Sequence, residues 1–90
     1  VVMMMKTLAL ELAPYGITVN AIAPTATETR FTEEYYRENP QIKERVRQNH
    51  PLGRLGKVED YMGTALYLSS DASDFVTGTM IIVDGGKTIK

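Results

Sequence analysis

Ile17-Thr18-Val19-Asn20-Ala21-Ile22-Ala23, closed by Pro24, is the stretch on which the fold turns. β-Branched residues dominate it and polar ones are few. That composition suits a strand buried on both faces, as in a parallel sheet. Proline lacks an N–H to continue a ladder and so ends the run. We expect a strand over residues 17–24.

Upstream, Val1, Met4, Met5, Leu8, Ala9 and Leu12 recur at helical spacing, while Lys6, Thr7 and Glu11 lie off that face. Pro14 and Gly16 bracket Tyr15 as a stop, since glycine tolerates the positive φ past a helix end. The helix runs over about 1–13 and its closing turn extends the element to 16. No Ser, Thr, Asp or Asn caps its start, so the apolar stripe begins in mid-course. Helix, short turn and buried strand make the αβ half of a doubly wound fold.

Downstream, residues 25–51 are charged, with Glu28, Glu33, Glu34, Glu38 and Glu44 set against Arg30, Arg37, Lys43, Arg45 and Arg47. Phe31, Tyr35, Tyr36, Ile42 and Val46 are the sparse apolar positions, and Asn39-Pro40 predicts the start of a short helix. Two readings stand for this excursion: a solvated helical segment, or a mobile lid over a ligand site. A further helix is expected over 57–70, with Val58, Tyr61, Met62, Ala65 and Leu66 on one side. Thr79-Met80-Ile81-Ile82-Val83 gives a second apolar strand over 79–84, closed by Asp84-Gly85-Gly86. Two such strands joined through a helix form a parallel crossover. The fold class is α/β, in the order helix, strand, helical lid, helix, strand.

Ninety residues with a formal net charge of −1 give no footprint for nucleic acid or an anionic membrane. No apolar run reaches membrane-spanning length. The absence of cysteine excludes disulfides and thiolate-bound metal, and fits a reducing, cytoplasmic setting. Two doubly buried strands need covering helices and neighbouring strands beyond those counted here. The expected partners are therefore a missing N-terminal part of the same domain, another copy of the chain, or both.

Three blocks carry a resemblance. Lys6 through Pro24 resembles the helix and strand that follow the catalytic Tyr-x-x-x-Lys of classical short-chain dehydrogenases/reductases. Pro51-Leu52-Gly53-Arg54-Leu55-Gly56-Lys57-Val58-Glu59-Asp60 is similar to the family segment P-L-G-R-x-G-x-P-E-D. Ala72-Ser73-Asp74-Phe75-Val76-Thr77-Gly78 and Val83-Asp84-Gly85-Gly86 are similar to its closing S-x-[YF]-[VI]-T-G and V-D-G-G. The resemblance extends from one end of the chain nearly to the other, with the blocks in family order. The resemblance implies the C-terminal part of a Rossmann-like doubly wound parallel sheet, of the 3-oxoacyl reductase or sugar-alcohol dehydrogenase kind. It also implies NAD or NADP as cofactor and interconversion of a small alcohol and ketone.

The hydride-transfer chemistry needs a proton-donating group and a nearby positive charge to lower its pKa. Tyr15, Tyr35, Tyr36, Tyr61 and Tyr67 are followed four positions later by Val19, Asn39, Pro40, Ala65 and Asp71, so no Tyr-x-x-x-Lys is present. The glycines fit no dinucleotide phosphate loop. No catalytic residue and no metal ligand set is therefore assigned. By resemblance the chain keeps the nicotinamide side of the pocket. The family carries Pro-Gly-x-x-x-Thr, matched here at Pro24 and Thr29, with Thr25 at the glycine position. The resemblance places Pro24 near the nicotinamide ring, the backbone around Thr27 at its carboxamide, and the Thr29 hydroxyl at carboxamide or phosphate. Thr25 raises a conflict, since a Cβ there forbids a positive-φ turn or crowds the ring. The competing reading makes Thr25, Thr27 and Thr29 turn and capping residues only.

The remaining candidates are plainer. His50, the lone histidine, precedes Pro51 and is expected at the surface. Asp84 has no second metal ligand at useful spacing, and Met3 to Met5 are expected in a core or a subunit contact. Two functions remain open: part of an NAD(P)-dependent enzyme, or a catalytically inactive interaction fragment. By resemblance the parent assembles as a homotetramer or homodimer.

Overall fold

A computed structural model describes residues 1–89. The elements in chain order are α1 (Val2–Leu12), β1 (Ala21–Pro24), β2 (Thr27–Glu28), α2 (Arg30–Glu38), α3 (Pro40–Gln48), β3 (Gly56–Lys57), α4 (Val58–Leu68) and β4 (Met80–Val83). Turns of 3₁₀ helix cover Ala13–Tyr15, Asp71–Ser73 and Lys87–Ile89. Strand β1 pairs with β4, and β2 pairs in parallel with β3, Thr27 opposite Gly56 and Glu28 opposite Lys57. The chain divides into two compact units: Val1–Ala23 with Met62–Ile82, and Pro24–Tyr61 with the residues from Val83 onward.

In the first unit, α1 gives way to the 3₁₀ turn and ends at Gly16, which takes φ 73° and donates its N–H to the Ala13 carbonyl at 3.0 Å. Met5 and Ala9 are the buried members of the α1 stripe, whereas Val1, Met4 and Leu8 stay exposed. Of the three methionines at the start, Met3 and Met4 face outward and Met5 faces in. The regular strand begins only at Ala21. Ahead of it, Val19 and Asn20 meet Val76–Thr79 mainly through side-chain bonds. The Val19 N–H donates to Thr77 Oγ1 at 3.0 Å, and the Gly78 N–H donates to the Val19 carbonyl at 2.8 Å. Asn20 Nδ2 donates to the Val76 carbonyl at 2.9 Å while its Oδ1 accepts the Thr79 N–H at 3.1 Å. The Ala21 N–H then donates to the Thr79 carbonyl at 3.0 Å. These partners advance in the same direction along both segments, so the pairing is parallel.

The second unit holds more helix than the charge pattern suggests. Two nine-residue helices fill 25–51, not one. Thr29 caps α2, and its exchange of hydrogen bonds with Thr32 makes a capping box. Asn39 separates α2 from α3, with Pro40 as the first residue of α3. Exposed ion pairs Arg37–Glu33 and Arg47–Glu44 decorate these helices, and Lys43 reaches Glu28 at 2.8 Å. The short parallel pair β2–β3 has too little apolar alternation to announce itself in the sequence. Leu55 is the buried apolar residue of this unit.

Candidate functional site

The chain leaves β1 at Pro24, which is exposed, and enters a loop whose residues 25–29 are partly buried. Its hydrogen-bond donors can be assigned by elimination. Thr27 Oγ1 lies 2.7 Å from the Thr25 carbonyl, which only accepts, so the Thr27 proton points there. Tyr61 Oη lies 2.8 Å from Thr27 Oγ1 and must then be the donor. The Thr25 N–H completes the circuit by donating to Tyr61 Oη at 3.4 Å. Residues 25–27 are thus closed in a ring of hydrogen bonds through the first turn of α4. Gly56 stands beneath this ring, where a Cβ would overlap the Tyr61 hydroxyl.

Thr29 is the α2 cap. Its Oγ1 accepts the Thr32 N–H at 3.4 Å, and Thr32 Oγ1 donates to the Thr27 carbonyl at 2.9 Å. The Thr27 side chain is turned inward to Tyr61, so this residue offers a ligand its backbone only. Thr29 lines a cleft of about 460 Å³ with Glu28, Arg30, Glu33, Tyr36, Lys43 and Val58. The structure therefore brings Thr27 and Thr29 together on one side of the α2 entrance, with Pro24 at the strand end.

Two expectations about this loop are corrected. Among the described residues no non-glycine residue has positive φ, so Thr25 meets no left-handed turn. His50 is not at the surface: it is 2% exposed. It is enclosed because the Pro51 turn folds back against the Asp84-Gly85-Gly86 turn, with the Leu52 N–H donating to the Gly85 carbonyl at 3.1 Å. His50 Nε2 sits 2.8 Å from Thr25 Oγ1, and Nδ1 sits 2.7 Å from the Val46 carbonyl.

The motif blocks acquire physical roles. Arg54 grips Asp60 with two bonds, 2.7 and 2.9 Å. Asp60 also accepts the Lys57 N–H at 2.7 Å, capping the entry of α4. The Arg54 hydrogen bonds first, and the Lys57 N–H second, hold the Asp60 carboxyl well below the usual carboxylate range. Asp84 shapes its own turn, accepting the Gly86 N–H at 3.0 Å and the Thr88 N–H at 2.9 Å. The Thr88 side chain, then these N–H groups, lower its pKa against the opposing effect of desolvation. No group of three or more His, Asp or Glu among the described residues could hold a metal. Sequence reasoning placed Tyr61 only in a helix stripe and missed its part in the loop.

Comparison with known proteins places the chain in a family. The family model described as enoyl-(acyl carrier protein) reductase matches residues 1–88. The chain is 44% identical over 87 residues to 3β-hydroxysteroid dehydrogenase 1 of Eggerthella lenta, covering 97% of this chain and 33% of that protein. It is 42% identical over 90 residues to the NAD-dependent glycerol dehydrogenase of Listeria innocua, covering 100% and 35%. A crystal structure of an oxidoreductase of the short-chain dehydrogenase/reductase family from Burkholderia thailandensis superposes with a TM-score of 0.88 at 35% identity, covering 99% and 35%. The chain spans about a third of the length of these relatives. Its α/β architecture with parallel strands is the matching part of their Rossmann-like fold. On the order of its motif blocks, the match of nearly all its residues and the shared fold, the chain belongs to the short-chain dehydrogenase/reductase family.

Proposed function

We propose that this chain is the C-terminal segment of an NAD(P)-dependent oxidoreductase that interconverts a small-molecule alcohol and ketone. Its part is the nicotinamide-side wall, and the observation that carries this is the hydrogen-bonded loop 25–27 at the carboxyl end of a parallel strand. Ligands of open α/β sheets bind at that end of the strands. The residues fit the group. Pro24 closes the strand, the 25–27 backbone is fixed from behind by Tyr61, and Thr29 borders a cleft. When bound, the cofactor supplies or removes the hydride. The chain's own contribution is to seat the carboxamide on backbone groups around Thr27 and to offer the Thr29 hydroxyl. The catalytic proton donor belongs to a Tyr-x-x-x-Lys outside these ninety residues.

Helices α2 and α3 then serve as the substrate lid over residues 25–51. A second role, assembly, is favoured by exposed apolar side chains. Phe75, Phe31, Leu10 and Leu66 are all more than two-thirds exposed, and a homotetramer or homodimer would cover such surface. No described helix is long and apolar enough to cross a membrane. The cysteine-free composition favours a reducing, cytoplasmic setting.

Two measurements test the proposal. The gene product carrying this segment should oxidise or reduce a nicotinamide cofactor with a small alcohol or ketone, followed by nicotinamide absorbance. The purified ninety-residue chain should show no turnover. A gene product without Tyr-x-x-x-Lys upstream would leave the interaction fragment as the function. Turnover by the isolated chain would overturn the division of labour.

A further inference from the structure

We propose that Thr25 and His50 act as a positioning pair that sets the 25–27 backbone for the nicotinamide carboxamide; this rests on the nicotinamide-wall reading above. The bond itself is 2.8 Å between Thr25 Oγ1 and His50 Nε2.

The direction of this bond follows from the other ring nitrogen. Nδ1 sits 2.7 Å from the Val46 carbonyl, which can only accept, so Nδ1 carries a proton. In the neutral ring Nε2 is then the bare acceptor, and Thr25 donates its hydroxyl proton. The same pair of bonds fixes the ring plane between the end of α3 and the loop after β1. A buried imidazole requires both partners, because an unpaired buried polar atom is costly.

His50 is also backed mechanically. The Gly53 N–H donates to the His50 carbonyl at 2.7 Å, closing the turn that follows. Gly85, at φ 62°, lies so close that a Cβ there would stand 3.5 Å from His50 Cδ2. The Asp84 turn thus packs beside the ring on this side.

Thr25 is consequently held at three points. His50 takes its hydroxyl, Tyr61 takes its N–H and Thr27 takes its carbonyl. A glycine at this position could make the two backbone bonds but not the third. Glycine would leave the loop freer before the ligand arrives. Threonine together with His50 pre-orders it, and pre-ordering raises affinity by reducing the ordering cost on binding. Thr25 is not a contact for the reacting atoms. It acts through the backbone it fixes.

The test uses the full gene product, with cofactor dissociation constant and thermal midpoint measured on each variant. Thr25→Val keeps the shape and removes the hydroxyl. We expect it to weaken cofactor binding about three- to tenfold, the effect of one net hydrogen bond. Thr25→Ser should restore binding to within about twofold of wild type, since the donor returns. His50→Phe should weaken binding to a similar degree, and the double variant should be no weaker than the worse single one. If His50→Phe does not fold, Thr25→Val against Thr25→Ser carries the test alone. A lowered midpoint with unchanged cofactor affinity in Thr25→Val means a structural role only and overturns the proposal. Additive losses in the double variant overturn it too. A wild-type protein that binds no nicotinamide overturns the wall reading and this proposal together. Wild-type binding with indifferent variants overturns this proposal alone.

Discussion

The Tyr61 hydroxyl lies 2.8 Å from Thr27 Oγ1 and donates to it, because the Thr27 proton is already committed to the Thr25 carbonyl. A residue on the first turn of α4 thereby closes a loop 34 positions earlier. Tyr61→Phe keeps the ring packing and removes this donor, and it also removes the acceptor for the Thr25 N–H. We expect a loss of about 1–2 kcal/mol in unfolding free energy, measured by chemical denaturation of the full gene product. Gly56→Ala should reach the same end by another route, since its methyl displaces the Tyr61 hydroxyl. If Tyr61→Phe leaves stability unchanged, the ring is not what holds the loop.

Asn20 explains why a polar residue sits in an otherwise apolar stretch. Its amide group donates to the Val76 carbonyl and accepts from the Thr79 N–H, so it latches the turn around Gly78. Asn20→Ala should cost about 1–3 kcal/mol, since two partly buried backbone groups lose their partners. Asn20→Asp puts an acceptor against the Val76 carbonyl at neutral pH, so the loss should be at least as large. On acidification the new carboxyl regains a proton to donate. The gap to wild type at the same pH should therefore narrow between about pH 7 and pH 4, across the ordinary carboxylate range. Denaturation curves at both pH values check this. A gap that widens on acidification would contradict the assigned amide orientation.

The periodic elements were legible because their signals are local. The α1 stripe, the Pro14–Gly16 stop and the two apolar strands follow from spacing and from residues with restricted backbones. The strand over 17–24 shortened to Ala21–Pro24 because the Thr77 hydroxyl and the Asn20 amide take up backbone groups of the 19–20 and 76–79 segments, which no propensity records. Helix α2 was missed because its apolar positions are few and its start depends on the reciprocal Thr29–Thr32 cap. His50 misled for the opposite reason. A histidine before proline in a polar context reads as exposed, yet its burial is set by Thr25 and Gly85, distant in sequence, together with Val46 one helical turn earlier. Long-range hydrogen bonds carry most of this loop, and their partners are not spaced by any helical or strand period.

Gly86 joins the two motif turns, and a side chain there would be strained. It takes φ 91°, and a Cβ would stand 3.1 Å from Pro51 Cγ. Gly86→Ala thus combines a left-handed backbone with a clash against a rigid ring. A destabilisation of at least about 1–2 kcal/mol is expected. The thermal midpoint should fall in Gly86→Ala and recover in part when Pro51→Ala is added, because the Cγ and Cδ contacts go while the Cβ contact at 3.2 Å and the left-handed backbone remain. No recovery in the double variant would show that the outer ring atoms of Pro51 do not set the cost.

Asp60 gives the chain a defined acid sensitivity. Its carboxyl is held well below the usual range by Arg54 and by the Lys57 N–H. A carboxylate depressed in the folded state binds its proton less readily there than in the unfolded chain. Its stabilisation is therefore fully present above the unfolded value of about 3.9 and is lost as pH falls through the folded value. Asp60→Asn removes the charge and with it this dependence. The variant should be less stable than wild type near neutral pH, and the difference should shrink steadily below about pH 4. Asp84, also depressed, acts in the same direction in both proteins and leaves the comparison intact. Because the Arg54–Asp60 pair is partly exposed, added salt should reduce the neutral-pH difference as well. Thermal midpoints of both proteins, taken from pH 7 to about pH 2 at low and high salt, decide the matter. A difference that persists unchanged at the acid end would mean that Asp60 acts by packing and not through its charge.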